Sequence, residues 1–357
     1  MGNSQHATAK RVLIYRLGSI GDTVVALPAI RLVARAFPDA ERRVLTNFSV
    51  GIKAAPLEAV LEGTGLVHGY LRYPLGVRNA GTLSELRSEI RNWRPDLLVY
   101  LAAARGRMKA VRDILFFRLC GIRRMIGVPL SRDAQESRQV DGERLYESEA
   151  GRLARSIRPL GDARLDDPAS WDLALTPEEL RQAESVLHNW IGQRKFLAAS
   201  IGTKADTKDW GVENWRALFE SVSRSHPGLG LVMIGAADEG DSSDYVSGAW
   251  QGPTLNCCGR LSPRESAAVI KRSMAFVGHD SGPMHLAAAV GVPCTAVFSA
   301  RSKPGVWFPF GVNHRIVYHQ TGCFGCELTI CTLHEKKCIR SITVNEVYAA
   351  ATDLLRG

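Results

Sequence analysis

The sequence has no run of about 18 apolar residues, so no segment has the length and hydrophobicity of a membrane-spanning helix. Its start, Met1 to Lys10, is polar and lacks the apolar centre of a signal peptide, which points to a cytoplasmic protein. The first glycine-rich loop is not G-x-G-x-x-G and has no P-loop lysine, which excludes the nicotinamide and ATPase fingerprints. No motif that reads DNA or RNA is present, and aromatic residues do not interleave with basic ones, so nucleic acid is not expected as a partner. Negative charge is in short supply. Asp and Glu number 36 against 45 Lys and Arg, and the net +9 suits an anionic partner such as a membrane surface or a glycolipid.

What is present reads as two domains. A chain of 357 residues exceeds what one core usually supports. Strand patterns recur near 11–17, 43–47, 67–73, 96–101 and 123–127, and again near 196–201, 230–235, 254–257, 274–279, 294–299 and 315–319. Helical patterns lie between them, including Thr82 to Trp93 and Met108 to Cys120. Thr176-Pro177-Glu178-Glu179 and Ser262-Pro263-Arg264-Glu265 each put a hydroxyl at the cap, Pro at the first helical position and Glu at the third. Thr343 caps a last helix, Val344 to Arg356, with Glu346 three residues on. This alternation implies an α/β protein with parallel sheets covered by helices, in two Rossmann-like blocks with a cleft between them. Gly, Asp and Pro gather at Gly161 to Pro168, so the expected domains are 1–165, 166–340 and a closing helix at 341–357.

Two joints between strand and helix can carry chemistry. In the second half, Val277-Gly278-His279-Asp280 ends a strand, Ser281-Gly282-Pro283 turns, and an Ala-rich helix follows. The unpaired N–H groups of a helix start suit a phosphate, and Asp280 beside them suits sugar hydroxyls. The same pattern also suits a plain corner with Asp280 as a cap. In the first half, Arg11 to Leu17 reads as a strand, Gly18-Ser19-Ile20-Gly21-Asp22 as its loop, and Thr23 to Ala36 as a helix that Pro28 should kink or delay. Asp22 is then either a helix cap or a general base.

Leu17-Gly18-Ser19-Ile20-Gly21-Asp22 together with Asp280-Ser281-Gly282-Pro283-Met284-His285 resembles the ADP-heptose:lipopolysaccharide heptosyltransferases of glycosyltransferase family 9. Between them, Ser200-Ile201-Gly202-Thr203, Lys208-Asp209-Trp210 and Asn214-Trp215 resemble the family's donor-phosphate segment. Pro293 to Phe298 and Trp307-Phe308-Pro309 resemble its late strand and turn. The resemblance runs from about 11 to 355. It departs at Asp209-Trp210-Gly211, where family members more often have a basic residue and then Trp-Pro.

The resemblance implies the GT-B fold, with the last helix crossing back to the first domain. It implies an inverting, metal-independent transfer of heptose or a related sugar from an ADP-sugar, with no Asp-x-Asp metal site in the sequence. Asp22 would take the proton of the acceptor hydroxyl. Thr203, Lys208, Asp280, Ser281, Gly282 and His285 would hold the donor, with Glu239 on its ribose and Leu261 by its adenine. Ser19 and Gly21 would hold the acceptor, an anionic glycolipid, glycan or protein; Arg72, Arg105, Arg107 and Lys109, near the expected ends of first-domain strands, either grip its phosphates or carboxylates or form a solvated charged face. Such an enzyme would work in the cytoplasm, at the inner face of the membrane, with peripheral membrane contact. The alternatives are another GT-B enzyme, an epimerase or hydrolase, or a non-catalytic nucleotide-sugar-binding scaffold.

Eight cysteines raise a separate question. Cys323, Cys326, Cys331 and Cys338 fall in one short segment, and in a cytoplasmic protein that spacing suggests structural zinc or iron ahead of disulfides, with free thiols as the third reading. Cys257-Cys258 reads as core.

Overall fold

The structure is a computed structural model that describes residues 9–47, 56–73, 80–140, 144–191, 195–332 and 334–356. The chain folds as two compact units, 1–172 and 173–357. The expected boundary lay a few residues earlier, between 165 and 166. Trp171 explains the difference: its indole is buried and donates to the Leu165 carbonyl, which ties the segment to the first unit.

The first unit opens with β1 (Arg11–Tyr15), whose residues Val12 to Tyr15 have no exposed surface. Strands buried on both faces read as unbroken apolar runs, as this one does. α1 (Ile20–Ala36), β2 (Glu41–Asn47), α2 (Glu58–Leu61), β3 (Gly69–Tyr73), α3 (Ala80–Trp93), β4 (Leu97–Tyr100), α4 (Arg107–Leu119), β5 (Arg124–Ile126), α5 (Arg132–Gln135) and α6 (Glu149–Ser156) follow. The sheet order is β3-β2-β1-β4-β5, all parallel. α1 begins three residues before the sequence expectation and runs through Pro28 without a break. Ser19 caps its first turn, and Pro28 is buried among Val24, Val25 and Leu32, so packing outweighs one lost N–H bond.

The second unit contains α7 (Pro177–Ile191), β6 (Phe196–Ser200), α8 (Val212–Ser225), β7 (Gly230–Met233), α9 (Gly240–Ser247), β8 (Thr254–Asn256), α10 (Pro263–Ile270), β9 (Ala275–His279), α11 (Gly282–Ala289), β10 (Cys294–Phe298), β11 (Arg315–Tyr318), α12 (Lys337–Arg340) and α13 (Val344–Leu355). Its sheet is also parallel, in the order β11-β10-β9-β6-β7-β8. The three expected caps form: Glu179, Glu265 and Glu346 each accept the N–H of their capping Thr or Ser. In α13, Val347 and Leu355 belong to the core of the second unit, against α8 and strands β9 to β11.

Strand order decides where ligands go. In the first unit the chain leaves β1 toward β2 and β3, then returns to add β4 on the other side. In the second it leaves β6 toward β7 and β8, then returns to add β9. The crevice outside the carboxyl ends of two such strands is the usual binding place of an open α/β sheet.

Candidate functional site

Each unit has a candidate site at its own switch point. In the first, β1 ends at Tyr15 and the chain turns through Gly18, whose φ of 143° suits glycine. A Cβ there would lie 2.3 Å from Asp22 Cβ and 2.4 Å from its Cγ, so the missing side chain makes room for the Asp22 carboxylate. The Gly18 N–H donates to Asn47 Oδ1 at 2.7 Å. Ser19 donates to Asp22 Oδ2 twice, from its N–H at 2.9 Å and its hydroxyl at 3.0 Å. Asp22 is therefore the third residue of a capping box and not the cap itself, and its side chain stays 29 % exposed.

Arg16 lies under this turn, fully buried. Its Nε and Nη2 donate to the Asp22 carbonyl at 3.1 and 2.5 Å, and its Nη1 to the Leu101 carbonyl beyond β4 at 2.7 Å. Nη2 is 3.7 Å from Asp22 Oδ1, and Glu149 and Arg152 continue the ion-paired chain behind it. One guanidinium thus fastens the head of α1 to the end of β4. Sequence reasoning missed Arg16, Asn47 and Glu149. The only signal was a charged residue closing an apolar strand.

The expected acceptor residues are not equivalent. Ser19 and the buried Gly21 frame Asp22. Arg105 turns inward, donating to the Tyr15 hydroxyl at 2.9 Å and to Asp113 Oδ2 at 2.8 Å. Asp113, buried, also accepts from Tyr100 and Arg112. Burial is the main cause that pushes the Tyr100 hydroxyl up to about 12 and raises that of Tyr15 further, so both stay protonated donors. Arg72 near the end of β3 and Arg107 at the start of α4 are exposed, as is Lys109.

In the second unit, Lys208 Nζ is 2.6 Å from Asp280 Oδ2 and donates to the Asp280 carbonyl at 3.1 Å. The pair joins the loop after β6 to the end of β9, across the switch point. On the other oxygen, His285 Nε2 is 3.9 Å from Asp280 Oδ1, and its ring stands edge-on to Trp307. Ser281 caps α11; its hydroxyl is buried without a hydrogen bond, and Gly282 is the first helical residue. Thr203 Oγ1 accepts the Ala205 N–H at 3.4 Å.

Glu239 folds back over two glycines. Its Oε2 accepts the Ala236 N–H at 3.0 Å, and a Cβ on Gly202 or Gly235 would come within 1.9 or 2.3 Å of its carboxylate. Gly259 lies against Ala237 in the same way, so the Gly259-Arg260-Leu261 turn runs beside Glu239, with Leu261 partly packed on the core. Thr203, Glu239 and Asp280 thereby follow three adjacent strands, β6, β7 and β9.

His279 supports the end of β9 from beneath. Its Nε2 accepts the Trp210 N–H at 3.0 Å and the Trp215 indole N–H at 3.3 Å. Complete burial lowers its pKa to about 4 and keeps the ring neutral. The departure at Asp209-Trp210-Gly211 has its own geometry. Asp209 Oδ1 accepts the Gly211 N–H at 3.0 Å, and Gly211, at φ 98°, opens α8.

Among the described residues no three His, Cys, Asp or Glu side chains are arranged to hold an ion, and no disulfide joins the clustered cysteines. Cys338 is half-buried, which raises its thiol pKa, and the nearby Cys323 and Cys326 raise it further. The loop is held by other bonds: the Gly325 N–H to the Ala300 carbonyl, the Glu327 N–H to that of Arg301, and the Thr207 hydroxyl to that of Leu328.

Residues 156–337 match the model of "Glycosyltransferase family 9 (heptosyltransferase)". Lipopolysaccharide heptosyltransferase 1 of Pseudomonas aeruginosa is 25 % identical over 343 residues, 90 % of this chain and 87 % of its own. Two other heptosyltransferases, matched more locally, are spanned over 40 % and 52 % of their lengths. Among solved structures, a family 9 glycosyl transferase from Veillonella parvula superposes with a TM-score of 0.73 at 17 % identity, over 97 % of each chain. The E. coli heptosyltransferase WaaC with ADP does so with a TM-score of 0.62 at 17 % identity, over 96 % of this chain and 99 % of its own. At such identities the structures speak for the fold, two parallel α/β units in one chain. Among the described residues no helix is long and apolar enough to cross a membrane.

Proposed function

The chain belongs to glycosyltransferase family 9, and from that premise we propose that it moves a heptose, or a closely related sugar, from an ADP-sugar to an acceptor hydroxyl. The observation that carries this reading is the Lys208–Asp280 pair at the second switch point, beside the start of α11. A diphosphate placed there meets an ammonium, the Thr203 and Ser281 hydroxyls and the N–H groups of Ser281 and Gly282. In this reading the carboxylate of Glu239 takes the ribose hydroxyls and Leu261 covers the adenine face. ADP is what the WaaC structure contains, and lipopolysaccharide is what the Pseudomonas relative is named for.

The first unit supplies the base. Asp22 accepts the proton of the acceptor hydroxyl, while Ser19 and Arg16 fix its position. The oxygen forms its bond to the anomeric carbon as the bond from that carbon to the diphosphate oxygen breaks. The sugar inverts and ADP leaves with the bonding electrons. The charge that grows on the leaving diphosphate is met by Lys208 and the helix N–H groups. No step passes through a metal. Zinc or iron at the cysteine loop would be structural only, and the loop would have to close further to supply its ligands.

The acceptor in this reading is the lipopolysaccharide core or another anionic surface glycan, reached at the cytoplasmic face of the inner membrane by a peripherally bound enzyme. Ser19, Gly21, Arg72, Arg105 and Arg107 are its contacts, with Arg105 held rigid by Asp113 and Tyr15. A thermal-shift panel of nucleotide sugars tests the donor: ADP-heptose is expected to raise Tm most, and no preference for ADP over UDP sugars overturns the assignment. ADP release that needs no acceptor would indicate a hydrolase instead.

A further inference from the structure

α4 has a face that its own unit leaves uncovered. Its inner side is Ala110, Asp113 and Phe117, all buried. On the opposite side Met108, Val111, Leu115 and Leu119 follow one another at spacings of three and four, which places them in one line. They are 88 %, 47 %, 60 % and 60 % exposed. Single exposed apolar side chains are ordinary, but a stripe along three turns is not. At 100° per residue, Arg107 and Arg118 fall on one side of the stripe and Lys109 and Arg112 on the other, all exposed. The helix has one acid, Asp113, and that is on the inner side, bound by Arg105, Arg112 and Tyr100. From α3, which also carries Glu85 and Glu89, Arg87 and Arg91 donate to the Leu119 carbonyl and add two cations at the end of the stripe.

The charge of the whole chain follows the same division. Residues 1–172 hold 27 Lys and Arg against 19 Asp and Glu, a net +8, while residues 173–357 hold 18 against 17, a net +1. Nearly all the net positive charge is on the unit that bears α4.

We propose that α4 docks the protein on an anionic lipid surface, lying in the plane of the bilayer with Met108, Val111, Leu115 and Leu119 toward the acyl chains. Arg107, Lys109, Arg112 and Arg118 meet the lipid phosphates. An exposed apolar helix face flanked by basic residues binds in this way, by buried apolar area plus attraction to anionic headgroups. A second copy of the chain fits the same face poorly, since pairing two such faces brings two sets of four cations together. The proposal rests on the membrane-linked acceptor of the proposed function and gives it a surface.

Sedimentation of the full chain with phosphatidylcholine vesicles, with and without phosphatidylglycerol, tests it. Binding is expected only to the phosphatidylglycerol vesicles and is expected to weaken with salt. Leu115→Glu combined with Leu119→Glu is expected to weaken binding by on the order of tenfold or more, and Arg118→Glu by roughly fivefold. These positions are exposed, so thermal melting and ADP affinity by calorimetry are expected to stay at the wild-type values. Full chain that stays in the supernatant, or variants that bind as tightly as wild type, would overturn the proposal. So would a dimer, formed without lipid, that the leucine variants dissociate. Vesicle binding is read without turnover, so absence of ADP binding by the wild type would overturn the glycosyltransferase reading alone.

Discussion

Lys208 and Asp280 are 72 residues apart in the chain, yet their side chains form a 2.6 Å ion pair that closes the switch point between β6 and β9. Neither group is free to face solvent alone: the Asp280 side chain is nearly buried and that of Lys208 mostly so. The pair is therefore preorganised. A diphosphate arriving there exchanges with a contact already made and does not order a loose lysine.

Lys208→Ala is expected to weaken ADP binding by roughly ten- to a hundredfold, the range for losing one charged hydrogen-bond partner. Asp280→Asn is expected to lower thermal stability as well, because it leaves a mostly buried ammonium without its carboxylate. Calorimetric titration with ADP checks both. An unchanged Kd in Lys208→Ala would remove Lys208 from the donor site.

Asp22→Asn is expected to reduce kcat by roughly two to four powers of ten with little change in ADP affinity. The Asn side chain can still accept from Ser19, so the fold around α1 is retained. Gly18→Ala reaches the same carboxylate indirectly: its Cβ would displace Asp22, and at φ 143° the new residue is strained. It is expected to lose turnover together with stability. Near-wild-type turnover in Asp22→Asn would exclude the general-base role.

Gly202→Ala tests the donor role proposed for Glu239. Its Cβ would overlap the Glu239 carboxylate and push it off the end of β6. The expected result is a higher KM for the ADP-sugar with a smaller change in kcat. Steady-state kinetics with donor varied at saturating acceptor would show it, and a pure kcat effect would place Glu239 elsewhere in the mechanism.

His279 sets a pH dependence of stability. Its pKa is about 4 in the folded protein and near 6.5 when unfolded, so the unfolded chain binds more protons between those values. Stability is then full above about pH 6.5 and falls as the pH drops toward 4, by up to about 3 kcal/mol. His279→Gln, which keeps a side-chain acceptor, is expected to melt lower at neutral pH but to lose less between pH 6.5 and 4.5. Parallel melting curves for the two proteins across that window would show that other groups carry the acid sensitivity.

Much of the fold was legible because its signals are local. Each strand pattern of the sequence corresponds to a strand of the structure; β1, β6 and β9 were the plainest, since they are buried on both faces and are apolar but for one terminal residue each. The capped helices starting at Pro177, Pro263 and Val344 were readable from four residues each, because a capping box closes within one turn. The two strand–helix joints holding Asp22 and Asp280 were readable for the same reason.

Only the tertiary structure decided what each of these joints faces within its own unit and what supports it. That Lys208 faces Asp280, that Arg16 ties Asp22 to Leu101 and Glu149, and that Glu239 rests on Gly202 and Gly235 all follow from strand order. Strand order is set by how whole elements bury one another, and no short pattern encodes it. The cysteine spacing suggested a ligand set, and spacing alone does not say how near the four thiols lie once the loop is folded. The α4 stripe was invisible for a related reason. Its sequence has apolar residues on every side, and packing alone determines which of them the core takes and which are left outside.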